Sequence, residues 1–182
     1  ERRHAAARRA LQVALLNEVG LDHVLDGVGL LADRVREIVE ADRPTIEAMD
    51  HREMYNPVLM AAYMGSVPLL RFLKDRGANV QFITPAGTNA LMHCAGDVDG
   101  LDLSRAGISV AWQRGVDPVA TTRQLLEWGL DPAAANARGR TPLRLAVSAG
   151  NLDVAAVLAE ALAAHGKLVA ADVPLFRGTE YE

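Results

Sequence analysis

"GRTPLRLAVSAGNLDVAAVLAEAL" runs from Gly139 to Leu162. Its reading decides the fold. Thr141 precedes Pro142, and a proline suits the first turn of a helix, where an N–H would go unpaired in any case. A threonine just before it caps the exposed N–H groups with its hydroxyl. Six apolar or small residues follow Pro142 before Gly150, which ends the segment with a residue tolerant of left-handed backbone. A second apolar helix is predicted from about Leu152 to Leu162. One such helix–turn–helix cannot cover both of its own apolar faces, so it predicts a stack of similar units.

The rest of the chain supplies them. "TPLRLAVSAG" (Thr141–Gly150) matches "NPVLMAAYMG" (Asn56–Gly65), with proline second, alanine sixth and glycine tenth. Leucines follow each glycine, at Leu69, Leu70 and Leu73 in one unit and at Leu152, Leu158 and Leu162 in the other. Between them "GANVQFITPAGTNALMHCA" (Gly77–Ala95) aligns with "GLDPAAANARGRTPLRLAV" (Gly129–Val147), glycines falling at the same first and eleventh places. Ala61 and Cys94 are 33 positions apart, while Cys94 and Ala146, like Gly77 and Gly129, are 52 apart. The longer spacing is the shorter one plus 19, which predicts a 33-residue repeat carrying one insertion. Asp117-Pro118-Val119, set 52 positions after Gly65-Ser66-Val67, narrows the insertion to about 98–116.

With this period, with Thr141-Pro142-Leu143, Ala146 and Gly150, and with "GANV" and "GLDP" ahead of the turns, the chain resembles an ankyrin-repeat protein over about residues 22 to 165. The resemblance implies an all-α solenoid of stacked helix–turn–helix units joined by short hairpin-like loops. The expected organisation is a single domain, 1–182. It comprises a capping helix over 1–20, a degenerate leading repeat over 21–50, and repeats over 51–83, 84–135 and 136–165, with a tail over 166–182. The insertion belongs to the middle repeat. Two departures stand out: Arg144 replaces the usual histidine, and Asn89-Ala90-Leu91 replaces Thr-Pro-Leu.

Composition sets the limits on function. Half of the 182 residues are hydrophobic and only 4% are aromatic, which favours closely packed helices over a β-sandwich. The net charge of −4 argues against a nucleic-acid binder, which is normally basic. Lysine occurs only at Lys74 and Lys167, an arginine bias that a GC-rich (bacterial) genome explains as readily as a function. No apolar run approaches the ~20 residues of a membrane-spanning helix. A cytoplasmic monomer is expected. The chain begins at Glu1 without methionine, so an export signal upstream stays open.

No catalytic or cofactor motif emerges. Cys94 is the single cysteine and excludes an internal disulfide or a multi-cysteine zinc site. Asp97, Asp99 and Asp102 lie close together, but a calcium loop begun at Asp97 would put Leu101, Asp102 and Ile108 at its fifth, sixth and twelfth places, and the match fails. His93 and Cys94 suggest a base and nucleophile, yet sequence neighbours on a helix diverge by about 100°. Cys94 takes the small, packed position of Ala61 and Ala146 and is expected to be an inert buried thiol. His93 is expected to be partly buried. Neither a metal nor a cofactor is expected.

The ankyrin resemblance implies a protein-interaction module whose contacts lie on loop fingers and exposed inner-helix positions. The expected contacts are Arg52, Glu53, Phe82, Thr84, Arg138 and Arg140 on the fingers, and Tyr63, Met64 and Ser148 on the inner helices. The alternative is a small-molecule binder or enzyme whose pocket the insertion builds, with His93, Asp97, Arg105, Trp112 and Arg114 around it. Arg2, Arg3, Arg8 and Arg9 form a basic cluster whose simpler reading is a solvated capping helix. The tail "VPLFRGTEYE" (Val173–Glu182) has turn residues and no helical period, and is expected to be docked or partly disordered.

Overall fold

The structure is a computed structural model that describes residues 36–41, 46–47, 56–96 and 117–167. Among these the ordered elements are helices. They are α1 (Pro57–Tyr63), α2 (Val67–Asp75), α3 (Ala90–Ala95), α4 (Pro118–Glu127), α5 (Pro142–Ser148) and α6 (Leu152–Ala164). A further helical segment spans 36–41. The expected capping helix, the leading repeat apart from 36–41 and 46–47, the insertion and residues 168–182 lie outside the described residues.

Local chemistry starts the helices. Asn56, Ser66, Asn89, Asp117 and Thr141 each accept a backbone N–H three residues on, at 2.9, 3.4, 3.1, 2.8 and 3.4 Å. The cap expected at Thr141 is therefore formed, and Asn56 and Asp117 cap proline-started helices in the same way. Asn89 caps α3 without help from a proline, so losing Pro at that helix start leaves the helix intact. Gly65 and Gly150 end their turns with φ of 66° and 73°. One alignment is corrected: Ser66 and Asp117, the true caps of α2 and α4, stand 51 positions apart rather than 52, and α4 has 10 residues against 9 in α2.

The helices form two layers. α1, α3 and α5 pack side by side as the inner layer, and α2, α4 and α6 as the outer layer, each antiparallel pair bridging the two. The core runs between them. Leu59, Leu91, Leu143 and Leu145 from the inner layer meet Leu69, Leu70, Leu73, Leu125 and Leu158 from the outer one, all essentially without solvent contact. Leu152 departs from expectation: as the first residue of α6 it lies 40% exposed, before the helix has turned its apolar face inward.

Polar contacts tie the outer layer together. The Arg71 Nε of α2 donates to Gln124 Oε1 of α4 at 2.9 Å, and Gln124 Nε2 donates to Glu127 Oε2 at 2.9 Å. The Phe72 ring carries two guanidinium groups, Arg36 at 5.5 Å and Arg76 at 3.8 Å, and Arg76 also pairs with Glu40. This binds the 36–41 segment, whose Ile38 and Val39 are buried, to the first described pair.

Candidate partner-binding fingers

Between each outer helix and the next inner helix the chain makes a finger. In the first, Gly87 N donates to Thr84 O at 2.8 Å and Thr84 N to Thr88 O at 2.9 Å. The second repeats this 52 positions later: Gly139 N donates to Asn136 O at 2.8 Å and Asn136 N to Arg140 O at 3.0 Å. Gly87 and Gly139 sit at the turn with φ of 77° and 71°, a left-handed backbone that side chains with a Cβ resist. The fingers join directly, Ala137 N donating to Ala86 O at 3.0 Å.

Different side chains hold the two turns. In the first, Thr88 N donates to Thr84 Oγ1 at 3.1 Å, and the two hydroxyls lie 2.7 Å apart. Thr88 Oγ1 also lies 3.3 Å from His93 Nε2, which ties the finger to α3. In the second, Asn136 Oδ1 alone accepts from Arg138 N and Arg140 N, both at 3.0 Å.

His93 is 2% exposed, and burial pushes its imidazole pKa down to about 3, so it is neutral at physiological pH. The expectation of partial burial is corrected to full burial, and the repeat explains it: the counterparts Met60 and Leu145 are buried too. Cys94 faces elsewhere, its Sγ 3.3 Å from Thr122 Oγ1 and from Pro118 O of α4. Burial raises its thiol to about 12, leaving it protonated and unreactive. Histidine and cysteine thus serve separate packing roles rather than one nucleophile–base pair.

The expected contact residues divide. Arg138 and Ser148 are exposed, and Arg140, Phe82 and Tyr63 are partly exposed, with Phe82 and Tyr63 leaning on the core. Met64 and Thr84 are corrected from exposed contacts to buried ones. Met64 caps the end of α1 with its side chain turned into the packing, and Thr84 spends its hydroxyl inside the turn. Arg52, Glu53, Asp97, Arg105, Trp112 and Arg114 lie outside the described residues, so no pocket around His93 is described from them. Sequence reading missed Ile83, which is 60% exposed. The alternation of an extended segment, with Phe82 and Thr84 turned inward, was the signal that would have found it.

Stacked helix pairs in two layers, joined by fingers in register, define a helical-repeat solenoid. Residues 138–167 match the family model of the ankyrin repeat, and the helical architecture of the described residues is consistent with an ankyrin-repeat protein. No curated protein matches the chain. Ankyrin repeats are in general protein–protein interaction modules. Among the described residues no helix is long and apolar enough to cross a membrane, and no cluster of three or more His, Cys, Asp or Glu side chains could hold a metal ion.

Proposed function

We propose that the protein binds a partner protein through its fingers and the inner-helix surface beside them. The observation that carries this reading is the pair of finger tips. They are held rigid by the same turn and by the Ala137–Ala86 hydrogen bond, and they turn Ile83, Pro85, Ala86, Ala137 and Arg138 outward. A large apolar side chain beside an arginine on a preorganised backbone is favourable for a binding surface, because little conformational entropy remains to be lost on association. Arg140 and Ser148 extend the same surface toward α5.

The test is affinity capture from the native host with three proteins side by side: wild type, the double variant Ile83→Asp/Arg138→Glu, and Ala156→Lys on the exposed side of α6. All three should melt alike. A partner whose recovery falls about tenfold or more with the finger variant and is kept by Ala156→Lys fits the reading. A partner kept by the finger variant and lost with Ala156→Lys would move function to the outer helices.

A further inference from the structure

We propose that α4 is the place where the stack opens. In a minority state the helix leaves α3 and draws the second finger away from the first, while the pairs on either side stay folded. In those flanking pairs a tight glycine turn clamps the outer helix to the inner one. Ser66 N donates to Ala61 O at 3.0 Å between α1 and α2, and Asn151 N donates to Ala146 O at 2.8 Å between α5 and α6. The equivalent acceptor in the middle pair is the carbonyl of Cys94, on α3. Asp117 N passes it by and donates to Gly65 O of the preceding repeat, at 3.0 Å. A Cβ on Gly65 would stand 3.2 Å from Pro118 N, because the start of α4 lies against that earlier turn. The start of α4 is therefore held by a neighbour and not by its own partner helix.

The packing between α3 and α4 differs in kind as well. The 52- and 33-residue spacings align Leu69 with Thr121 and Val154, and Leu70 with Thr122 and Ala155. All six are buried. Of the four residues that α4 buries, Leu125 alone is apolar; α2 buries three leucines. Thr122 spends its hydroxyl on its own helix, donating to Pro118 O at 2.7 Å, and lies 3.3 Å from Cys94 Sγ. Thr121 is 0% exposed, and its Oγ1 has no hydrogen-bond partner among the described residues. A hydroxyl taken from water without a partner carries a free-energy cost that opening recovers. The polar ties on α4 lie at its rim. Arg71 reaches Gln124, Lys74 sits 4.5 Å from the Trp128 ring, and Arg123 stands 3.9 Å from Glu160 of α6. Exposed contacts of this kind hold weakly. The base of the second finger moves with the helix, since Leu130 N donates to Leu125 O at 3.2 Å, and the Ala137–Ala86 hydrogen bond is what that movement breaks.

Native-state hydrogen exchange of the full chain, followed against denaturant concentration, tests this. The Leu125 amide should be about tenfold or more less protected than its equivalents Leu73 in α2 and Leu158 in α6, with a shallower dependence on denaturant. Thr121→Val keeps the shape and removes the unpaired hydroxyl, and should slow exchange at Leu125 and Ala137 together by about tenfold. Equal protection and equal slopes at Leu73, Leu125 and Leu158 overturn the proposal. Protection that falls steadily toward the last repeat overturns it too, being fraying from the end. A Leu125 amide indifferent to Thr121→Val removes the buried hydroxyl as the cause, and a slowed Leu125 beside an unchanged Ala137 removes the link to the finger; either result sinks the device. If the variant does not fold, the wild-type exchange alone decides.

Discussion

The two fingers are one backbone made with two chemistries. At 84–88 a pair of threonine hydroxyls closes the turn and His93 anchors it; at 136–140 a single asparagine carboxamide does the same. The shared features are the left-handed glycine and the backbone bonds at each turn. The repeat thus keeps geometry and spends its side chains freely. The fingers differ in surroundings as well. The first lies in the interior of the stack, with the second finger 3.1 Å from where a Gly87 Cβ would stand; the second has no described neighbour beyond it. Position in the stack, more than local sequence, sets what a substitution costs.

The largest effect expected on this comparison is in the inner helices. Leu91 and Leu143 are equivalent, and both are 0% exposed. Each Leu→Ala change should cost about 2–5 kcal/mol through the cavity it leaves, with Leu91→Ala the greater because α3 is packed between α1 and α5. Chemical denaturation measures both, and a near-neutral Leu143→Ala would show the last repeat to be loosely packed.

Next comes pH. Below pH 6.5 the unfolded chain protonates His93, while the folded chain, whose imidazole is held down to about 3, does not. Its contribution is therefore fully present above pH 6.5 and is lost as pH falls toward 3. His93→Leu, which installs the residue found at Leu145, should narrow the stability gap to wild type by about 2 kcal/mol between pH 7 and pH 4.5. Parallel denaturation curves at the two pH values would show that His93 does not resist protonation.

Smaller again is the glycine pair. Gly87→Ala and Gly139→Ala both force a side chain into left-handed backbone, at about 1–2 kcal/mol, and Gly87→Ala also presses on Ala137. Gly87→Ala should be the costlier by a clear margin in melting temperature. Equal costs would mean the finger–finger contact yields easily. The smallest effect is at a helix start. Pro142→Ala should cost under about 1 kcal/mol, since α3 forms on the Asn89 cap with Ala90 in that place.

Much of this was legible in the residues. The Thr141-Pro142 and Asn56-Pro57 starts, the turn glycines and the 33- and 52-residue spacings act through local backbone rules, which hold wherever a segment lies. The buried place of Cys94 followed from the small residues at its repeat equivalents. The one-residue longer α4 was not legible, because Gly65 and Ser66 offer two nearly equal registers for Asp117.

The candidate site was read less well. Met64, Thr84 and Ile83 were misjudged or missed because a finger has no long periodicity to show which side chains face in. Repeat period, helix starts and turns were determined by the sequence itself, for they depend on φ preferences, capping and apolar spacing within a few residues. Which polar groups are buried, that Thr88 bonds His93 while Asn136 closes the next turn alone, and that Gly87 touches a neighbour while Gly139 touches none described were decided only by the tertiary structure. Those properties belong to pairs of segments far apart in the chain, and only stacking sets the distance between them.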